Sequence, residues 1–233
     1  MTIPDLSAEH ADSRANGTVS HSRAAHERNP GMPLDQGWVK AARVNKSAAE
    51  RRAATIGTRR SVKKDTQAAW LLRAITCIDL TTLSGDDTPG NVHRLCAKAR
   101  QPVRQEVLDA LGVGDMGITT GAVCVYHNRV ADAVRALEGT NIPVAAVSTG
   151  FPAGLSPLRT RIEEIKESVA AGAKEIDIVI PREHAIAQNW QALYDEVRQF
   201  REACGDAHMK SILATGELPH LRSVMMASLV CMM

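Results

Sequence analysis

From Ala74 onward the chain alternates short apolar runs with longer stretches in which apolar residues recur every three or four positions. The runs are AITCIDL (74–80), GAVCVYH (121–127), VAAVSTGF (144–151), EIDIVI (175–180) and HMKSILAT (208–215). Each is bounded by Gly, Pro or Asp and is mostly apolar on both faces, as expected of parallel strands covered by helices or closed into a barrel. The intervening spacing predicts helices over 89–111, broken at Pro102, and over 128–138, 158–171, 189–203 and 219–232. Ahead of this rhythm, residues 38–73 read as helical. Residues 1–35, rich in Ser, Ala, His, Asn, Gly and Pro with no apolar period, read as a mobile tail without an assigned function.

Five strand and helix units in succession, with neither the GxGxxG of a dinucleotide fold nor the GxxxxGK(S/T) of a P-loop, predict an α/β chain of the TIM (β/α)8 barrel class rather than a doubly wound sheet. Five units are three short of the eight in such a barrel. The last helical stretch also meets the end of the chain without a C-cap glycine, so the sequence reads as truncated, with residues 36–233 forming one partial barrel domain.

Composition narrows the partners. Lys and Arg number 28 against 26 Asp and Glu, and a net charge of +2 predicts neither nucleic acid nor an anionic membrane. The basic cluster Arg59, Arg60, Lys63 and Lys64 has no aromatic residues interleaved with its charges and reads as a solvated helix face. The five cysteines, Cys77, Cys96, Cys124, Cys204 and Cys231, form no CxxC pair, which points to a reducing, cytosolic setting. The N-terminus lacks an apolar signal region, and the terminal run MMASLVCMM has nine residues, against the roughly twenty of a membrane helix. The eight histidines show no HExxH or similar spacing, so neither a metal nor a cofactor is expected.

Candidate chemistry lies where charges interrupt the apolar runs: Asp79 in CIDL, Asp177 in EIDIVI and Lys210 in HMKSIL. Burying a lone charge costs several kcal/mol, so such groups are paired, neutralised or retained for function. Lys210 alone reads equally well as half of a structural ion pair or as a strand-end lysine whose stem reaches solvent. Two carboxylates on other strands favour the functional reading. A desolvated lysine has its pKa pushed down, and the neutral amine attacks a carbonyl to form a Schiff base, an electron sink that lets a neighbouring carbon–carbon bond break. A carboxylate must then move protons, a task suited to Asp177. Cys124 reads as a core or pocket-lining thiol, because His127, three positions along the same strand, falls on the opposite face.

The blocks CIDLTTLSGDDT (77–88), TTGAVCVYHNRV (119–130), GFPAG (150–154), GAKEIDIVIPR (172–182) and MKSILATGEL (209–218) together resemble the deoxyribose-phosphate aldolase family, closest in wording to its animal-type branch, in collinear order from Gln36 to Met233. The resemblance implies a class I aldolase of TIM-barrel fold that cleaves 2-deoxy-D-ribose 5-phosphate to acetaldehyde and D-glyceraldehyde 3-phosphate without a metal. By that resemblance Lys210 is the Schiff-base lysine and Asp177 the proton-relay carboxylate. Asp79, Cys124, Thr215 and Gly216 help hold the substrate. The expected partner is a small sugar phosphate, with no nucleic acid or membrane and with a homo-oligomer left open.

Departures accompany the match. The family's second active-site lysine, in a FIKTSTG-like segment, and its later phosphate-gripping turns have no counterpart up to Met233. An inactive fragment that acts only through the intact enzyme is therefore the alternative, and a different Schiff-base aldolase on the same barrel is a third reading. His127 stands where the family has proline, and Ser148 with Thr149 precedes GFPAG; these are expected only to adjust the rim of the site.

Overall fold

The computed structural model describes residues 29–59 and 61–233. The expected tail lies outside the described residues up to position 28, as does Arg60 of the basic cluster. The chain divides into two units, Met1–Pro30 and Gly31–Met233, and the regular elements among the described residues lie in the second. These are α1 (Gln36–Ala41), α2 (Lys46–Arg59), α3 (Lys64–Ile75), β1 (Asp79–Thr81), α4 (Pro89–Arg100), α5 (Gln105–Ala110), β2 (Ala122–Tyr126), α6 (Val130–Ala136), β3 (Val144–Ser148), α7 (Leu158–Ala170), β4 (Glu175–Val179), α8 (Arg182–Ile186), α9 (Trp190–Cys204), β5 (His208–Ile212) and α10 (Leu221–Met232).

The strands form one sheet in the order β1-β2-β3-β4-β5, and all four pairings are parallel. Consecutive parallel neighbours joined by helices are the arrangement of a (β/α) barrel arc, as the spacing predicts. Helix starts follow local chemistry. Thr88 caps α4 by accepting the Asn91 N–H at 3.3 Å, with Pro89 at the first helical position, and Asn189 caps α9 by accepting the Ala192 N–H at 3.3 Å. Pro102 separates α4 from α5, as expected of a residue without an amide hydrogen.

Helical periodicity decides which faces are buried. In α9, Trp190, Leu193, Val197, Phe200 and Cys204 are buried, and in α4 Val92, Cys96 and Ala99 are buried, spacings of three and four that make one stripe. These stripes pack on the outer sheet face, where Val123, Val125, Val144, Ala146, Ile176 and Ile178 form the main core. The buried Arg161 of α7 is accommodated there by Glu196 at 2.9 Å and by the Phe200 ring, 5.3 Å from its guanidinium carbon.

One sequence expectation changes. The apolar run 74–80 is not one strand: Ala74 and Ile75 complete α3, and the Thr76 hydroxyl and amide turn back to Arg73 O (2.8 Å) and Leu72 O (3.3 Å). The helical period of AAWLL continues through AI, so apolar character alone could not mark the boundary. The helical stretch 38–73 forms three helices, and α2 and α3 contain no fully buried residue. No helix among the described residues is long and apolar enough to cross a membrane.

Candidate active site

Side chains alternate across each strand, so residues paired in register share a face. The register Tyr126↔Val147↔Asp177↔Lys210 defines one row of the inner face, and Thr81↔Cys124↔Ala145↔Glu175↔His208 defines the row on its N-terminal side. On this face Cys124, Ala145 and Val147 form a small apolar patch beside Leu83, Tyr126 and Phe151. Asp79, Glu175, Asp177 and Lys210 bring charge to the same face. The inner face is thus mostly apolar, with its polar chemistry confined to these four side chains.

The Lys210 ammonium donates a hydrogen bond to Asp79 Oδ2 at 2.5 Å and lies 3.0 Å from Asp177 Oδ1 and 3.1 Å from Glu175 Oε2. The first and fifth strands are thus bridged across the inner face by residues 131 positions apart in the chain. Asp79, Asp177 and Lys210 converge as the sequence suggests. Glu175 was missed, although EID places it two positions before Asp177, and period two puts both on one face.

Electrostatics correct one expectation. Burial acts to lower the Lys210 pKa, but the hydrogen bond to Asp79, the Asp177 charge and the contact with Glu175 outweigh it, and the net shift is upward. The lysine is also only partly withdrawn from water, its side chain being 32% exposed. Desolvation alone does not govern this amine, because three carboxylates surround it. Asp177 is shifted up as well, first by burial and then by Asp79 and Glu175, with Lys210 opposing.

Cys124 lies at the edge of this cluster, its Sγ 3.7 Å from Asp177 Oδ2. Burial, followed by the Asp177 charge, pushes its thiol up to about 12, so it lines the site as a neutral group. His127 is not in a strand. It opens a 3-10 turn over His127–Arg129 after β2, and its Nδ1 lies 3.3 Å from Glu164 Oε1. Thr215 and Gly216 stand in the exposed turn after β5, closed by the Glu217 N–H to Ala214 O at 2.9 Å, rather than within the charged cluster. A Cβ on Gly216 would meet nothing within 4 Å, so packing does not require glycine there.

The rim is more than an adjustable edge. Thr149 is fully buried; its hydroxyl accepts the Val179 N–H at 2.7 Å and lies 3.0 Å from Val179 O, fastening the end of β3 to β4. Gly154, at φ +72°, approaches the same strand so closely that a Cβ would sit 3.0 Å from Val179 Cγ1. Glu164 accepts the Gly150 N–H at 2.8 Å while facing His127, which joins the loops after β2 and β3. A concavity at the C-terminal ends of β1 and β2 is lined by Ser84, Asp87, Tyr126, His127 and Arg129. A Thr149→Val variant should lose about 1–3 kcal/mol of stability by leaving the buried Val179 N–H unpaired. Thermal or urea unfolding of the variant measures it, and an unchanged midpoint would show that the hydroxyl is dispensable.

Comparison with known proteins adds relatives. A family model described as DeoC/LacD family aldolase matches residues 73–222. Deoxyribose-phosphate aldolases of Bos taurus and Homo sapiens are each 58% identical over 212 residues, covering 90% of this chain and 66% of theirs. The Mus musculus protein is 60% identical over the same shares. The chain therefore spans just under two thirds of the length of these curated relatives. Among solved structures, a putative deoxyribose-phosphate aldolase from Toxoplasma gondii ME49 superposes with a TM-score of 0.58 at 20% identity, covering 72% of this chain and 59% of that one. One from Coccidioides immitis gives 0.55 at 23%, covering 74% and 70%. A deoxyribose phosphate aldolase from Aeropyrum pernix, described as tetrameric, gives 0.52 at 20%, covering 68% and 59%. At these identities the structural likeness speaks for the fold alone.

Proposed function

This chain belongs to the DeoC/LacD aldolase family, and on that premise we propose that it carries the Schiff-base site of a deoxyribose-phosphate aldolase, with Lys210 as nucleophile and Asp177 as proton carrier. The observation that supports this most is one amine on the inner sheet face, at the row of Asp177, ringed by carboxylates. Among the described residues, Lys166 pairs with Glu163 at 2.9 Å on an exposed helix, and Lys174 precedes β4 rather than lying in a strand.

In this reading Asp177 takes the ammonium proton. Its Oδ1 faces Nζ at 3.0 Å, buried and with no hydrogen bond aligned on it. The freed lone pair attacks the aldehyde carbon of the open-chain sugar phosphate, and the resulting carbinolamine loses water to give a protonated imine. A base removes the hydroxyl proton one carbon beyond the neighbouring methylene. The bond between those two carbons breaks, its electrons pass into the enamine, and D-glyceraldehyde 3-phosphate departs. Proton return to the enamine carbon and addition of water then release acetaldehyde and restore the amine. Cys124, neutral in this pocket, shapes the wall for the two-carbon fragment, and Asp79 keeps the lysine directed across the sheet. Thr215 and Gly216, at the rim, are proposed to meet the substrate farther from the reacting carbon. The setting is cytosolic, a reading supported by five free thiols, and a homo-oligomer is compatible with it.

The test is to add acetaldehyde and sodium borohydride to the chain at about pH 9, where more of the amine is neutral, and to map the product by peptide mass spectrometry. An N-ethyl group on Lys210 is expected. An adduct confined to Lys166 or Lys174 would overturn the assignment.

A further inference from the structure

Glu175 is the one member of the charged cluster that the proposed reaction does not use. It lies two residues before Asp177 on β4, in register with His208 rather than with Lys210, and so one row toward the N-terminal side of the sheet. Its Oε2 is 3.1 Å from the Lys210 nitrogen, and its side chain is 19% exposed. A sugar phosphate enters a barrel from the C-terminal ends of the strands. Asp177 stands in the lysine's own row and can meet both the amine and an arriving carbonyl. Glu175 meets the amine from beneath.

The charges facing Lys210 come from two strands. Asp79 on β1 and Asp177 and Glu175 on β4 contact the ammonium, and Cys124 on β2 faces it as a neutral thiol. Three carboxylates against one ammonium is an excess of negative charge. An excess of this kind favours the protonated forms of Lys210 and Asp177. A single carboxylate would be enough for an ion pair, so the third calls for its own account.

We propose that Glu175 is a positioning residue for the Lys210 amine: it anchors the nitrogen from the N-terminal side, leaving the C-terminal side open to a carbonyl, and sets the pH at which the amine becomes neutral. As a statement about the reaction this rests on the Schiff-base reading above; as a statement about the amine it does not. Removing the Glu175 charge takes away one of three interactions that favour the ammonium, so the neutral amine should be reached at lower pH. The same change relieves repulsion among the carboxylates, so the isosteric Glu175→Gln chain should fold.

The experiment is competitive acetylation of the full chain with trace acetic anhydride from pH 7 to 11, with Lys210 labelling read by mass spectrometry against a free-amine standard. The acetyl group passes to neutral Nζ and acetate leaves, so the rate follows the neutral fraction without any aldehyde or turnover. In Glu175→Gln the Lys210 rate at pH 8 should rise about tenfold over the unsubstituted chain, one pH unit of displacement. Glu175→Asp keeps the charge but draws it back, and it should fall between the two. A Gln profile superimposable on the original, in a chain with unchanged circular dichroism, would overturn the proposal. If the Gln chain does not fold, an unshifted Asp profile does so. If labelling shifts while acetaldehyde is never trapped on Lys210, the positioning of the amine stands and the aldolase reading falls.

Discussion

Replacing Lys210 by alanine should abolish borohydride-trapped imine and reduce any cleavage of 2-deoxyribose 5-phosphate by about four orders of magnitude or more, since no remaining group supplies the electron sink. Alanine also removes the only cation in contact with Asp79, Glu175 and Asp177 among the described residues. Lost activity could then reflect a damaged fold. Lys210→Arg separates the two effects, because a guanidinium keeps the positive charge but stays protonated at every accessible pH and forms no imine. Both variants should lose trapping, and only the alanine variant should lose thermal stability at neutral pH. The direction of the lysine's own shift supports that contrast. Its folded-state pKa is raised, so the ammonium's stabilising contribution is whole below the ordinary value of 10.5 and is lost as pH rises through the higher folded-state value. Retained trapping in the alanine chain, read by the same peptide map, would show that another amine carries the chemistry.

The second large effect is on pH. Because the carboxylates outweigh burial and hold the amine's pKa above its ordinary value, its neutral fraction should rise about tenfold per pH unit, or roughly a thousandfold from pH 7 to pH 10, without a plateau. The acetylation rate of Lys210 reports this directly. An amine with a depressed pKa would level off near neutrality. A plateau below about pH 9 would therefore show that the carboxylates do not govern this lysine. The same argument makes imine formation by this 233-residue chain slow at neutral pH, and a further cation placed near Nζ would speed it by lowering the pKa.

How much of this was legible in advance depends on the range of the interaction. Four of the five strands fall inside the apolar runs that announce them, and α4, α7, α9 and α10 begin within two residues of their predicted starts. Strand and helix periods and end signals such as Thr88, Pro89 and Asn189 act over a few residues. The exception, β1, shows the limit. Ala74 and Ile75 suit a helix end as well as a strand, and the turn hydrogen bonds after α3 decided between them.

The sequence by itself determined the α/β class, the strand order's raw material and the identity of Asp79, Asp177 and Lys210, because a charge inside an apolar run is conspicuous wherever the chain later goes. Only the tertiary structure decided that Glu175 joins them, that Thr149 is buried against β4, that His127 turns to Glu164 instead of staying in a strand, and that Lys210 has its pKa raised rather than lowered. A pKa is set by the sum of burial and of all charges within a few ångströms. Here that sum includes a carboxylate 131 residues away in the chain, and local sequence spacing has no means of counting it.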